Sequence, residues 1–133
     1  MKRSYIGLAL RVLMAVGVVL GLSSCGHDQK LISIAINPSG ASITGAGVVV
    51  NFQAIGTFIH PPESKDITTS VVWMSAAPQV VSIGSNTGVA TSGTGCGTNI
   101  TITATAYSNP QSKSGSVVVG TAAVSVKGNP GCP

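Results

Sequence analysis

Asn99-Ile100-Thr101-Ile102-Thr103-Ala104-Thr105-Ala106 alternates apolar and polar side chains without a break. An extended chain turns successive side chains to opposite faces, so Ile100, Ile102, Ala104 and Ala106 share one side and the threonines the other. That is the pattern of a strand with one face on a core and one in water. Outward from it the same period recurs in short pieces. Leu31–Ile36 (LISIAI) is a first strand, stopped by Asn37-Pro38-Ser39-Gly40. Val48–Ile55 (VVVNFQAI) places Val50, Phe52 and Ala54 on one side, and Val71–Ser75 (VVWMS) does the same for Val71 and Trp73. Val80–Ile83 and Val89–Thr91 flank Ser85-Asn86-Thr87-Gly88, whose residue types are those of a hairpin turn. A last strand region runs from Ser116 to Val126, with Gly120 as a candidate bulge. Residues 57–68, with Pro61, Pro62 and three charged groups, read as a longer connection, and 107–115 as an exposed loop.

No helical period appears in these segments. About seven short strands at this spacing, in a chain rich in Gly, Ser, Thr, Val and Ile, predict an all-β fold, a two-sheet antiparallel sandwich. Trp73 lies between apolar strand neighbours, so it is expected in the core; the alternative is a ring exposed for stacking on a sugar.

Several stretches resemble, in the family's order, the bacterial Ig-like domain of group 2. They are Leu31–Pro38, Phe52–Gly56, Asp66–Ser75, Val80–Ile83, Gly88–Ala90 and Ile100–Ala104. The resemblance spans residues 31–127 and implies an Ig-like sandwich with Trp73 inside, as in modules of bacterial surface proteins. Cys96, Cys132 and the tail 128–133 depart from the common form of that family.

The beginning of the chain has a different character. Lys2, Arg3 and Arg11 form a positive head, and Val12–Leu22 is an unbroken apolar run of eleven residues. A bilayer span needs about 20 apolar residues, so this run has the length of a signal core rather than of an anchor. Leu22-Ser23-Ser24-Cys25 resembles the lipobox of bacterial lipoproteins, in which the cysteine is acylated and the chain is cut before it. The resemblance implies a signal peptide over 1–24, a lipid on Cys25, a short tether over 25–30 and attachment to a membrane. The alternative is an uncleaved anchor, or an ordinary signal with a chance cysteine. Gly26, where an aspartate would mark retention, resembles lipoproteins sorted to the outer membrane.

Cleavage would leave 109 residues, enough for one domain. Four lysines (30, 65, 113 and 127) then face three carboxylates, Asp28, Glu63 and Asp66, for a net charge of +1 with no arginine. Nucleic-acid binding needs a basic patch against several phosphates, so that class is set aside. With Cys25 acylated, Cys96 and Cys132 remain in an oxidising compartment and are expected to pair, the alternatives being two free buried thiols or a disordered C-terminal tail.

Chemistry is sparse. His27, His60 and three carboxylates are the only acid–base candidates after residue 24, and no serine sits in a G-x-S-x-G elbow. His60, Glu63 and Asp66 have helical spacing, but Pro61-Pro62 forbids a regular helix, so a solvated charged loop is expected rather than a metal site. Three acidic residues poorly supply the six to eight oxygens that calcium takes. Asn99-Ile100-Thr101 has the form of a glycosylation acceptor but reads as strand sequence.

The sequence therefore predicts a non-enzymatic envelope lipoprotein without cofactor or metal, serving as a structural, adhesion or protein-binding module for an envelope protein or polymer. A carbohydrate-binding accessory protein is the alternative; Tyr107 and Phe58 are the aromatics expected at the surface. Cys25→Ser should abolish incorporation of labelled fatty acid and release the protein from membranes or leave it unprocessed. A cleaved variant that still partitions into detergent like the parent would refute the acylation reading.

Overall fold

The computed structural model describes residues 28–130 and 132; the signal segment, Cys25 and His27 lie outside the described residues. Ten strands follow in order: β1 Lys30–Asn37, β2 Gly40–Thr44, β3 Val49–Asn51, β4 Gln53–Ile59, β5 Glu63–Asp66, β6 Val72–Ser75, β7 Val81–Ile83, β8 Val89–Ser92, β9 Gly97–Asn109 and β10 Ser114–Lys127. The described chain is all-β and forms a β-sandwich.

One layer is the sheet β2-β10-β9-β6. The other joins two smaller sheets, β1-β4-β5 and β3-β8-β7. These two are continuous through the chain, because β3 and β4 are a single strand path interrupted at Phe52. Its amide is turned to the Gly88 carbonyl at 2.8 Å. The alternation in β9 works as the sequence implies: Ile100, Ile102 and Ala104 are buried and Ala106 partly so. Ala122, Val124 and Val126 of β10 and Ala54 and Phe58 of β4 complete much of the interior. In β1 a register shift between Leu31 and Ser33 lets Leu31 and Ile34 both point inward although they are three positions apart, leaving Ile32 exposed.

The extra strands have physical causes. Val48–Ile55 divides at Phe52 into β3 and β4, and two polar segments become strands by pairing. Gly40–Thr44 contributes Ile43 to the core and lies parallel to β10, with Gly40 opposite Ala123 and Thr44 opposite Lys127. The sandwich is thus not wholly antiparallel. Glu63–Asp66, exposed at every position, is an antiparallel edge strand on β4, so residues 57–68 are mostly paired rather than a free connection. Similarly, 107–115 is the end of a long hairpin, because β9 runs to Asn109 and β10 starts at Ser114.

Gly120 is not a bulge. Pairing runs unbroken from Val119 opposite Thr105 to Thr121 opposite Thr103. A β-carbon at Gly120 would sit 2.7 Å from the Ile34 carbonyl oxygen, so the missing side chain lets β1 close on β10.

Trp73 is 2 % exposed and occupies the centre, its ring centroid 6.4 Å from that of Phe52. Its indole Nε1 donates to the Thr68 carbonyl at 2.8 Å, and its backbone amide donates to Ser85 in the turn of the opposite layer at 2.9 Å. The Thr68 hydroxyl accepts from the Ala54 amide at 2.9 Å and donates to Asp66 Oδ1 at 2.6 Å. Trp73→Ala should therefore cost about 3–5 kcal/mol, much of the stability of a domain this size. Thr68→Val, which strands the Ala54 amide, should cost about 1–3 kcal/mol. Denaturant unfolding followed by circular dichroism tests both; a loss below 1 kcal/mol for Trp73→Ala, roughly a surface-substitution effect, would contradict the central packing.

Candidate functional site

The outer face of the β2-β10-β9-β6 sheet is unusually apolar for a solvent-facing surface. Cross-strand register puts Val72, Thr105 and Val119 in one row, Met74, Thr103 and Thr121 in the next, and Tyr107 beside Val117. Met74 is 61 % and Val117 60 % exposed, and Val72, Val119 and Tyr107 are about half exposed. The threonines between them turn their hydroxyls to the neighbouring strand: Thr103 Oγ1 donates to the Met74 carbonyl at 3.4 Å and Thr105 Oγ1 to that of Val72 at 3.3 Å. Their methyl groups then add to the apolar surface. Five large exposed hydrophobics on one face form a contiguous patch of the kind that marks an interaction surface.

At one end of this face lies an open cleft of about 470 Å³, lined by Val72, Asn86, Tyr107, Pro110, Lys113 and Val117 among others. The β9–β10 hairpin shapes it. Lys113 (φ 49°) and Gly115 (φ 90°) take left-handed backbone, and a register shift follows between Ser114 and Val117. A side chain at Gly115 would collide with the Ser108 hydroxyl.

The structure separates the aromatics expected at the surface. Tyr107 is exposed, at 46 %, but Phe58 is buried at 6 %, under the Lys65 ammonium 5.7 Å from its ring centre. Phe58 follows the inward parity of Ala54 in β4, a parity obscured while 57–68 is read as a loop. The two rings therefore make no common platform. Trp73 is in the core, which leaves no exposed tryptophan for stacking.

His60, Glu63 and Asp66 are not brought to one point. His60 lies in the turn before β5, and Glu63 and Asp66, three apart in a strand, project to opposite faces. Among the described residues no group of three possible ligands could hold a metal ion. Each carboxylate has a local partner instead. Gln29 Nε2 donates to Glu63 Oε2 at 3.0 Å, Lys65 pairs with the same oxygen at 3.0 Å, and Lys65 also donates to Gln29 Oε1 at 2.7 Å. The Gln29 and Lys65 hydrogen bonds hold the Glu63 carboxyl below its ordinary pKa. The Thr68 hydroxyl and then its amide do the same for Asp66.

At the opposite end, Cys96 and Cys132 lie at disulfide distance, with Cα atoms 5.7 Å apart and 36 positions apart in sequence. Asn129 prepares this junction. It is buried, and its Nδ2 donates to the carbonyls of Gly93 at 3.1 Å and Gly95 at 2.8 Å, tying the tail to the loop before β9. No sequence signal singles out Asn129, because the tail 128–133 has no strand pattern of its own. Ser92, also buried, accepts from the Val48 amide and donates to the Gly45 carbonyl, which secures the adjoining loop.

Intact-mass analysis should therefore find no free thiol at Cys96 or Cys132 before reduction and two afterwards. Cys96→Ser with Cys132→Ser should lower stability by about 4 kcal/mol on chain entropy alone. Alkylation of both residues without reductant would eliminate the bond.

No protein-family model matches this chain, and no curated protein matches it.

Proposed function

We propose that this chain is an exported lipoprotein, cut before Cys25 and held to a membrane through lipid on that residue, with the outer membrane as its site. Its sandwich is a non-catalytic adhesion or binding module for a neighbouring envelope protein or polymer. The observation that carries the binding role is the apolar outer face around Val72, Met74 and Val119. Exposing such a surface in water is unfavourable unless a partner covers it.

Two further features support the module reading. The strand order supports the Ig-like reading: with β5 as an addition beside β4, β1, β3/β4, β8 and β7 in one layer can be matched to the order A-B-E-D, and β6, β9 and β10 in the other to C-F-G. The parallel partner β2 is an outrigger on the last strand. In addition, each described carboxylate engaged by a side chain is used structurally, by Gln29, Lys65 or Thr68, with no histidine beside it. That distribution favours contact over turnover.

The carbohydrate-binding alternative draws on Tyr107 in its cleft alone. One ring can stack on one sugar, whereas a strand face of aliphatic side chains suits a protein surface better.

Crosslinking in cells followed by purification of the lipidated protein should capture a specific envelope component. Met74→Asp with Val119→Asp should remove that component while leaving the circular dichroism spectrum unchanged, since both side chains are exposed. Capture that survives this double variant but is lost with Tyr107→Ala would move the function to the cleft and favour the carbohydrate reading.

A further inference from the structure

The start of the described chain is fixed against one end of the sandwich. Gln29 is held from both sides by Glu63 and Lys65, and Lys30 already pairs with Ile59 in β1. Asp28 and Gln29 share a small surface hollow with Asn109, Gln111 and Ser112 of the β9–β10 hairpin. The tether is therefore shorter than its polar composition implies. Only three residue steps separate Asp28 from Cys25, and they reach at most about 10 Å. Topology gathers other features at this same end: the His60-Pro61-Pro62 turn, the 110–113 hairpin tip and the cleft of Tyr107 and Val117. The disulfide lies at the other end, because β10 leaves the tip at Ser114 and finishes at Lys127, about 40 Å away at the rise of a strand.

We infer that the hairpin end of the sandwich, including the Tyr107 cleft, is a lipid-contact surface that rests on the headgroup layer of the membrane holding the chain. The inference rests on the acylation of Cys25 proposed above. A lipid anchor about 10 Å from Asp28 leaves no room for a second protein between this end and the bilayer. The chemistry of the cleft fits the occupant. Tyr107 has an apolar body and a polar tip, the property that concentrates tyrosine at membrane interfaces. Pro110, Val72 and Val117 add apolar surface, and Lys113 at the tip carries a cation on a stem long enough to reach headgroup phosphates. With the charge at this end nearly balanced, the contact is driven by tethering and interfacial burial rather than by attraction to anionic lipid.

The test uses the lipidated protein purified from membranes, isotope-labelled and placed in nanodiscs of zwitterionic phospholipid containing a headgroup nitroxide lipid. Amide resonances of His60, Tyr107 and 111–113 should broaden strongly while those of 44–47, at the disulfide end, stay sharp. Tyr107→Ser should diminish the selective broadening at 107 and 111–113. Uniform broadening, or broadening confined to 44–47, would overturn the orientation. Undiminished selectivity in Tyr107→Ser would overturn the lipid contact of the cleft. The intact mass of the same sample separates the two readings: an unacylated mass removes the anchor and the inference with it, whereas an acylated mass with uniform broadening removes the inference alone.

Discussion

The indole of Trp73 is the constraint around which the sandwich is organised. A ring of this size, 2 % exposed, must satisfy its N–H inside the protein, and it does so on the Thr68 carbonyl at 2.8 Å. That bond fixes the loop entering β6. The same loop carries the Thr68 hydroxyl, which caps the Ala54 amide of β4 in the other layer. Trp73 thus sits in one sheet while its backbone amide, on the Ser85 carbonyl, and its neighbour Phe52 bind it to the other. Gly88 completes the arrangement. Its φ of +69° suits glycine, and a β-carbon there would lie 3.2 Å from the indole and collide with the Phe52 carbonyl. One side chain therefore dictates a turn residue, a capping residue and the break between β3 and β4.

What could be read from the sequence, and what could not, divides along a physical line. Ile100, Ile102 and Ala104 announce their strand because each inward position is apolar and each outward position polar, so local pattern and tertiary placement agree. Trp73 and Val71 were legible for the same reason. Gly40–Thr44 and Glu63–Asp66 carry no such pattern; they are strands only because β10 and β4 offer an open edge to pair with. Phe58 shows how one such omission spreads, since treating its segment as a loop makes a buried ring look exposed. The outer apolar face was equally hidden. Val72, Met74, Val117 and Val119 are unremarkable in sequence and become a patch only through the register of β6, β9 and β10.

Scarcity of charge shapes the surface chemistry. Glu63 and Lys65 are spent on Gln29, and Asp66 on Thr68. The remaining polarity comes largely from threonine and serine, whose hydroxyls can turn back to backbone carbonyls and leave methyl groups outward, as at Thr103 and Thr105. A sheet face built this way is water-compatible without being strongly hydrated, and it can be covered with a small desolvation cost.

The two ends of the molecule are built on different principles, and the difference bears on how a surface module would work. At the disulfide end, Cys96 with Cys132, Asn129 on Gly93 and Gly95, and Ser92 on Gly45 all join segments distant in sequence. The disulfide removes conformational freedom from the unfolded chain, and the hydrogen bonds keep these loops closed in the folded one. At the hairpin end, the joining contacts are exposed side-chain hydrogen bonds between Gln29, Glu63 and Lys65. Exposed pairs of this kind contribute little to stability, so they position the entering chain more than they hold the domain together. A protein fastened at one end needs covalent reinforcement least where its attachment already restrains it. It needs reinforcement most at the end farthest from the attachment, where the last strand would otherwise fray. Under the proposed anchoring, that is the end the bond between Cys96 and Cys132 closes, while the flat apolar face between the two ends stands along the strands and open to lateral contact.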